Sequence, residues 1–120
     1  MKIAVTVQGT GLDDPVDPRF GRAAGFLIVE TATGEAAYLD NRAGGDAAQG
    51  AGLQAAKRIA ESGATVLVTG HCGPNAFRAL QAAGIRLFTG VDGGSVREAV
   101  ARYQAGQLSE MGSPDVKGHW

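Results

Sequence analysis

Apolar residues along the 120-residue chain recur with two different periods, and the switches between them mark the elements. Residues 2–7 form a β-branched, apolar run that predicts a strand. Residues 26–31 and 36–39 predict two more, joined by a turn at Thr33-Gly34 and so antiparallel. Further on the spacing becomes helical. Leu53, Ala56, Ile59 and Ala60 share one helix face, Ala76, Phe77, Leu80 and Ala83 a second, and Val96, Ala99, Val100 and Tyr103 a third. Between these helices, residues 65–69 and 86–89 predict strands, the first short and apolar enough for a buried parallel strand. Gly63 and Gly84 are placed to end the first two helices. Pro74 suits a first helical position. Ser95 and Glu98 stand at capping-box spacing, as do Asp46 and Gln49. Residues 108–120 predict a weakly ordered tail.

The element order is therefore β-β-β-α-β-α-β-α. A hairpin followed by βα units predicts an α/β fold, a mixed five-stranded sheet flanked by helices with right-handed crossovers. No repeat or linker divides the chain, so residues 1–108 are expected to form one domain and 109–120 a tail.

Composition narrows the function classes. An apolar content of 44% fits a globular chain, and 19 glycines without a Gly-X-Y period mark turns and close backbone approaches. A net charge of −1 lacks the basic excess that nucleic acids or membrane surfaces require. The single cysteine, Cys72, excludes an internal disulfide and suits a reducing compartment. Residues 1–5 lack a secretory leader's apolar stretch, and no run is long enough to span a membrane. A soluble cytoplasmic protein is expected.

The candidate chemistry lies in loops. In open α/β sheets, ligands bind beyond the carboxyl ends of the parallel strands. Three glycine-bearing loops map there: residues 8–25, 70–75 and 90–95. Gly70-His71-Cys72-Gly73-Pro74-Asn75 joins a strand end directly to a helix start, where free N–H groups and the helix dipole favour an anion. His71 could donate a hydrogen bond or bind a metal. Cys72, beside a helix N-terminus, could have a lowered thiol pKa and act as a soft ligand; the alternative is a tight turn in which both side chains merely pack. Arg19-Phe20-Gly21-Arg22 sets two cations around an aromatic ring that either covers an apolar ligand surface or plugs the core edge.

Other motifs are missing. Gly9-Thr10-Gly11 lacks dinucleotide spacing, there is no Walker A loop or Gly-x-Ser-x-Gly elbow, and Asp13, Asp14 and Asp17 lack the EF-hand pattern. No nucleophile is paired with a base and an acid, so no enzyme is expected. Lys57, Arg58, Arg97 and Arg102 read as solvated charge.

Met1-Lys2-Ile3-Ala4-Val5, Arg19-Phe20-Gly21-Arg22-Ala23, Gly50-Ala51-Gly52, Gly73-Pro74-Asn75-Ala76-Phe77-Arg78-Ala79-Leu80, Ala82-Ala83-Gly84-Ile85 and Gly93-Gly94-Ser95-Val96-Arg97-Glu98-Ala99 resemble the dinitrogenase iron–molybdenum cofactor biosynthesis family. That family includes NifX- and NafY-like carriers and the C-terminal domain of NifB, and the resemblance covers residues 1–108. It implies a ribonuclease-H-like fold and binding or transfer of a metal–sulfur cluster. One small member carries a molybdenum–copper sulfide cluster without covalent attachment, and this short, one-cysteine chain is similar to it. The alternative cargo is the iron–molybdenum cofactor or a precursor. The resemblance also implies a cluster-recipient partner or a P-loop ATPase, the latter for a metal-free interaction module. The expected site comprises Arg19, Phe20, Gly21, Arg22, Gly70, His71, Cys72, Gly73, Pro74 and Asn75, with His71 and Cys72 as candidate metal ligands.

Overall fold

Alternation along each strand decides how the layers form. Ile3, Val5 and Val7 point to one face of β1 (Lys2–Val7), while Ala4 points to the other, and each face meets a separate apolar cluster. The computed structural model describes residues 1–20, 23–41, 51–91 and 93–111. Within it β2 (Gly25–Glu30), β3 (Ala36–Asp40), β4 (Val66–Val68), β5 (Arg86–Thr89) and β6 (Ser109–Glu110) join β1 in one mixed sheet of order β3-β2-β1-β4-β5-β6. β1, β4 and β5 run parallel; the outer pairings, β1–β2, β2–β3 and β5–β6, are antiparallel.

The sheet has six strands, not the five expected. The sixth comes from the start of the segment read as tail. It pairs Phe88 with Glu110 and Thr89 with Ser109, and the Met111 N–H donates to the Leu87 carbonyl at 2.8 Å. Two polar residues make no apolar run, so no sequence pattern announces this strand. The Arg86 guanidinium holds it from the neighbouring strand through two bonds to the Glu110 carboxylate, at 2.7 and 3.1 Å.

Helix α1 (Ala51–Glu61) and α2 (Pro74–Ala82) cover one face through Ala55, Ala56, Ile59, Ala76, Phe77 and Leu80. Helix α3 (Val96–Gln104) covers the other through Val96, Ala99 and Val100. This is a three-layer α/β/α sandwich. Its helix stops are the expected ones: Gly63 and Gly84 adopt φ of 89° and 79°, a region that costs residues with a Cβ. The face of α1 departs from expectation. Ala55 takes the buried place, while Leu53 stands 60% exposed and Ala60 is exposed as well. The capping box expected at Asp46 and Gln49 lies outside the described residues. Among the described residues no helix is long and apolar enough to cross a membrane.

Candidate functional site

The parallel strands deliver their carboxyl ends to one rim. β3 exits there too, because it is antiparallel to β2 and hence runs with β1; Val7 and Asp40 both stand opposite Gly25. The loops expected at this edge are bonded to one another. The Val16 N–H donates to the Gly94 carbonyl at 3.0 Å, and the Val96 N–H donates to the Asp14 carbonyl at 3.0 Å. The Gly90 N–H reaches the Gly70 carbonyl at 3.1 Å. His71 pairs with the Arg19 segment on both sides: its N–H donates to the Pro18 carbonyl at 2.7 Å, and its carbonyl accepts from the Phe20 N–H at 3.2 Å.

Gly70 sits where these loops meet. A Cβ there would lie 2.8 Å from the Pro18 carbonyl oxygen and 2.9 Å from the Val91 carbonyl oxygen. Both are backbone atoms, the first held by the His71 N–H, so only a residue without a Cβ lets the three loops close.

The donors sit just beyond. Gly70 is buried and the His71 N–H is committed, so neither belongs to the donor set expected from residues 70–75. The open end is the N-terminus of α2. Its N-cap, Gly73, has no side chain to cap it, Pro74 occupies the first turn, and the first bond into the helix runs from the Phe77 N–H to the Gly73 carbonyl. The Cys72, Gly73, Asn75 and Ala76 N–H groups donate to no other described residue. A Cβ at Gly73 would meet nothing within 4 Å among the described residues. Free N–H groups and the positive pole of the helix together favour an anion there.

The side chains around this end divide in role. Arg19 is exposed, and its guanidinium is unpaired among the described residues. Arg78 lies one turn into α2, with Nη1 3.4 Å from the Asn75 Oδ1. His71 is exposed. Phe20 is 1% exposed and packs against Phe26 at a centroid distance of 5.7 Å, the arrangement of a ring that plugs the core edge. Gly21 and Arg22 lie outside the described residues. Cys72 is half-buried against the α1/α2 cluster, with its Sγ 3.7 Å from the Gly73 carbonyl. Burial pushes its thiol up to about 12, opposite to the lowering expected beside a helix N-terminus: loss of solvent around a thiolate outweighs the dipole. An open depression of about 220 Å³ adjoins the turn, lined by Gly70, His71, Cys72 and Thr89 together with Glu110 and Met111 of the added strand.

The carboxylates of residues 13–17 are held in local bonds. Asp14 accepts the Thr10 and Gly11 N–H groups at 2.9 Å each, and Asp13 pairs with Arg97 of α3 at 2.9 Å. Asp17 is buried and accepts the Arg19 N–H at 3.0 Å. Among the described residues no three His, Cys, Asp or Glu side chains group to hold a metal ion.

The sequence reading missed Asn41. It is fully buried where β3 leaves the sheet, donates from Nδ2 to the Ala23 carbonyl at 3.0 Å, and leaves Oδ1 without a partner among the described residues. Arg58, read as solvated, extends Nη1 to within 3.4 Å of the neighbouring Asp40 carbonyl. The hairpin carried the signal, since two antiparallel steps return the third strand to the rim of the first.

The model of the dinitrogenase iron-molybdenum cofactor family matches residues 1–106. The chain belongs to that family. Among solved structures, the apo form of the orange protein from Desulfovibrio gigas superposes with a TM-score of 0.92 at 53% identity, over 95% of each chain. A NifB-like protein from Thermotoga superposes with a TM-score of 0.83 at 30% identity, over 98% of each. An uncharacterized protein of Methanocaldococcus jannaschii is 28% identical over 114 residues, 92% of each chain. As a member of the iron-molybdenum cofactor family, the chain keeps its family-like runs at the rim. Gly73-Pro74-Asn75 forms the uncapped start of α2, and Arg19 lies along His71.

Proposed function

We propose that this protein binds and delivers an anionic molybdenum-containing metal–sulfur cluster, of the molybdenum–copper sulfide type, held without covalent bonds at the loop rim. The observation that carries the reading is the N-terminus of α2, with no side-chain cap at Gly73 and with the Arg19 backbone bridged to His71 two residues before it; the Arg19 guanidinium is unpaired among the described residues. A thiomolybdate-type cluster is a bulky polyanion with soft, weakly hydrated sulfide faces. It calls for fixed N–H donors, a cation and some apolar contact rather than a tight ligand cage. The N–H groups of Cys72, Gly73, Asn75 and Ala76 supply the donors, Arg19 and Arg78 the charge, and exposed His71 a further donor. Half-buried Cys72 offers a neutral, polarisable surface, because a thiol titrating near 12 keeps its proton at neutral pH. Cargo held by hydrogen bonds and charge can be released to a recipient without breaking a metal–protein bond. That suits transfer rather than turnover. Membership of the iron-molybdenum cofactor family and 53% identity to the orange protein support the cluster class.

Two measurements test the reading. Tetrathiomolybdate and Cu(I) added to the purified protein should give a coloured complex that saturates at about one cluster per chain. Protein isolated from its native source should carry molybdenum and acid-labile sulfide. A colourless titration, or native protein free of metal and bound to a P-loop ATPase, contradicts the reading and favours an interaction module.

A further inference from the structure

Two buried hydroxyls beneath the rim have no part in the site as described. Thr6 and Thr69 are both fully buried, on β1 and just past the end of β4. Thr6 Oγ1 lies 2.6 Å from the Asp17 carbonyl oxygen and 2.9 Å from Thr69 Oγ1. A carbonyl only accepts, so the Thr6 proton goes to Asp17. Each hydroxyl carries one proton, so Thr69 donates to Thr6. The relay therefore has a fixed direction, Thr69 to Thr6 to Asp17.

Asp17 is tied a second time, its N–H donating to the Thr6 carbonyl at 2.9 Å. Its carboxylate in turn holds the Arg19 N–H. Pro18 and Phe20 then bond to the two sides of His71, one residue from Gly70 and two from Thr69. The result is a closed circuit from β4 through β1 to residues 17–20 and back to the turn that opens α2. Valine fills the adjacent strand positions Val5, Val7 and Val68. Valines at 6 and 69 would fill nearly the same space but leave the Asp17 carbonyl without its Thr6 donor, so the hydroxyls answer to that carbonyl and not to shape alone.

We propose that Thr6 and Thr69 are positioning residues for the cluster site, an inference that rests on the reading above. Their relay sets where Arg19 stands relative to the N–H groups at the start of α2. Neither hydroxyl touches the cluster.

The test uses the full chain and tetrathiomolybdate with Cu(I). Thr6→Val removes the bond to Asp17, and affinity should fall about five- to tenfold, the equivalent of about one net hydrogen bond. Thr69→Val keeps that bond and should lose less. Thr6→Ser should restore wild-type affinity. Arg19→Ala should weaken wild type clearly but add little to Thr6→Val, because contacting or coupled residues are non-additive. A purely structural threonine would leave the Arg19 effect intact. Without ligand, amide exchange at His71 and Phe20 should quicken in Thr6→Val while the β2 amides stay protected. Wild-type affinity in Thr6→Val, additive losses with Arg19→Ala, or unchanged exchange at His71 and Phe20 would overturn the inference. If wild type binds no cluster but the two amides still respond, the cluster reading fails and the relay stands as a fixture of the rim alone.

Discussion

Gly70 concentrates the closure of the rim into one missing methyl group. In Gly70→Ala the new Cβ would stand 2.8 Å from the Pro18 carbonyl oxygen and 2.9 Å from that of Val91. Neither atom is the movable tip of a side chain. The expected cost is about 1–3 kcal/mol, typical of overpacking, read as a lower denaturation midpoint together with faster exchange of the His71 amide. Cys72 gives a second prediction at this scale. Its thiol titrates near 12 in the folded chain because burial disfavours the thiolate, against an ordinary value of 9.0. Between those values the unfolded chain has released a proton that the folded chain retains, so rising pH favours unfolding. Stability should be intact below about pH 9 and decline towards pH 12, and the decline should be shallower in Cys72→Ala. Denaturant titrations of both proteins across that range check the sign. The helix-dipole argument on the sequence missed this direction because it counts the field at the helix start but not the neighbours that exclude water. Phe20 and Leu53 show the same limit: linear spacing does not say which of two apolar positions reaches the core.

Helices α2 and α3 start in different ways, and the contrast bears on the proposed site. α3 is capped by its own side chains: Glu98 accepts the Ser95 N–H at 2.8 Å, and the Glu98 N–H donates to Ser95 Oγ at 3.2 Å. That box was legible in the sequence, since Ser-x-x-Glu before an apolar face admits few other arrangements. α2 starts at Gly73 with extended backbone, φ −72° and ψ 168°, and room for a side chain. Gly73→Asp would supply the missing cap and place a carboxylate where the proposed anion sits. Such a cap stabilises by a few tenths to about 1 kcal/mol. The variant should therefore unfold at higher temperature than wild type and bind the cluster at least about tenfold more weakly, an opposition of signs that a general disruption would not produce. Calorimetry and optical titration of the same sample read both. Most strands were legible for a similar reason, because apolar runs bounded by glycine leave little choice. β6 was not. Its stability comes from a long-range partner, Arg86, and from an open sheet edge, neither of which leaves a period in two residues.

At the scale of the whole molecule, paired charges and the unpaired donors of the proposed site belong to different elements. α3 and the 9–14 turn hold Asp13, Asp14 and Arg97 in local pairs. The rim at α2 keeps its N–H groups and Arg19 unpaired among the described residues. With a net charge of −1, the molecule as a whole offers an anion no long-range attraction, so affinity has to come from these local donors. The convergence of the loops was readable before the fold, because strand direction alone decides which connections share an edge. Asn41 escaped because its loop follows β3, a hairpin strand, whereas only the loops after β1, β4 and β5 were expected at that edge. The central claim is that an anionic sulfide cluster sits at the start of α2, and amide chemical-shift mapping tests it most directly. On adding tetrathiomolybdate and Cu(I) to isotopically labelled protein, the largest shifts should fall on Cys72, Gly73, Asn75, Ala76 and Arg19. Shifts centred instead on residues 9–14 and α3, or no shifts at saturating cluster, would contradict it.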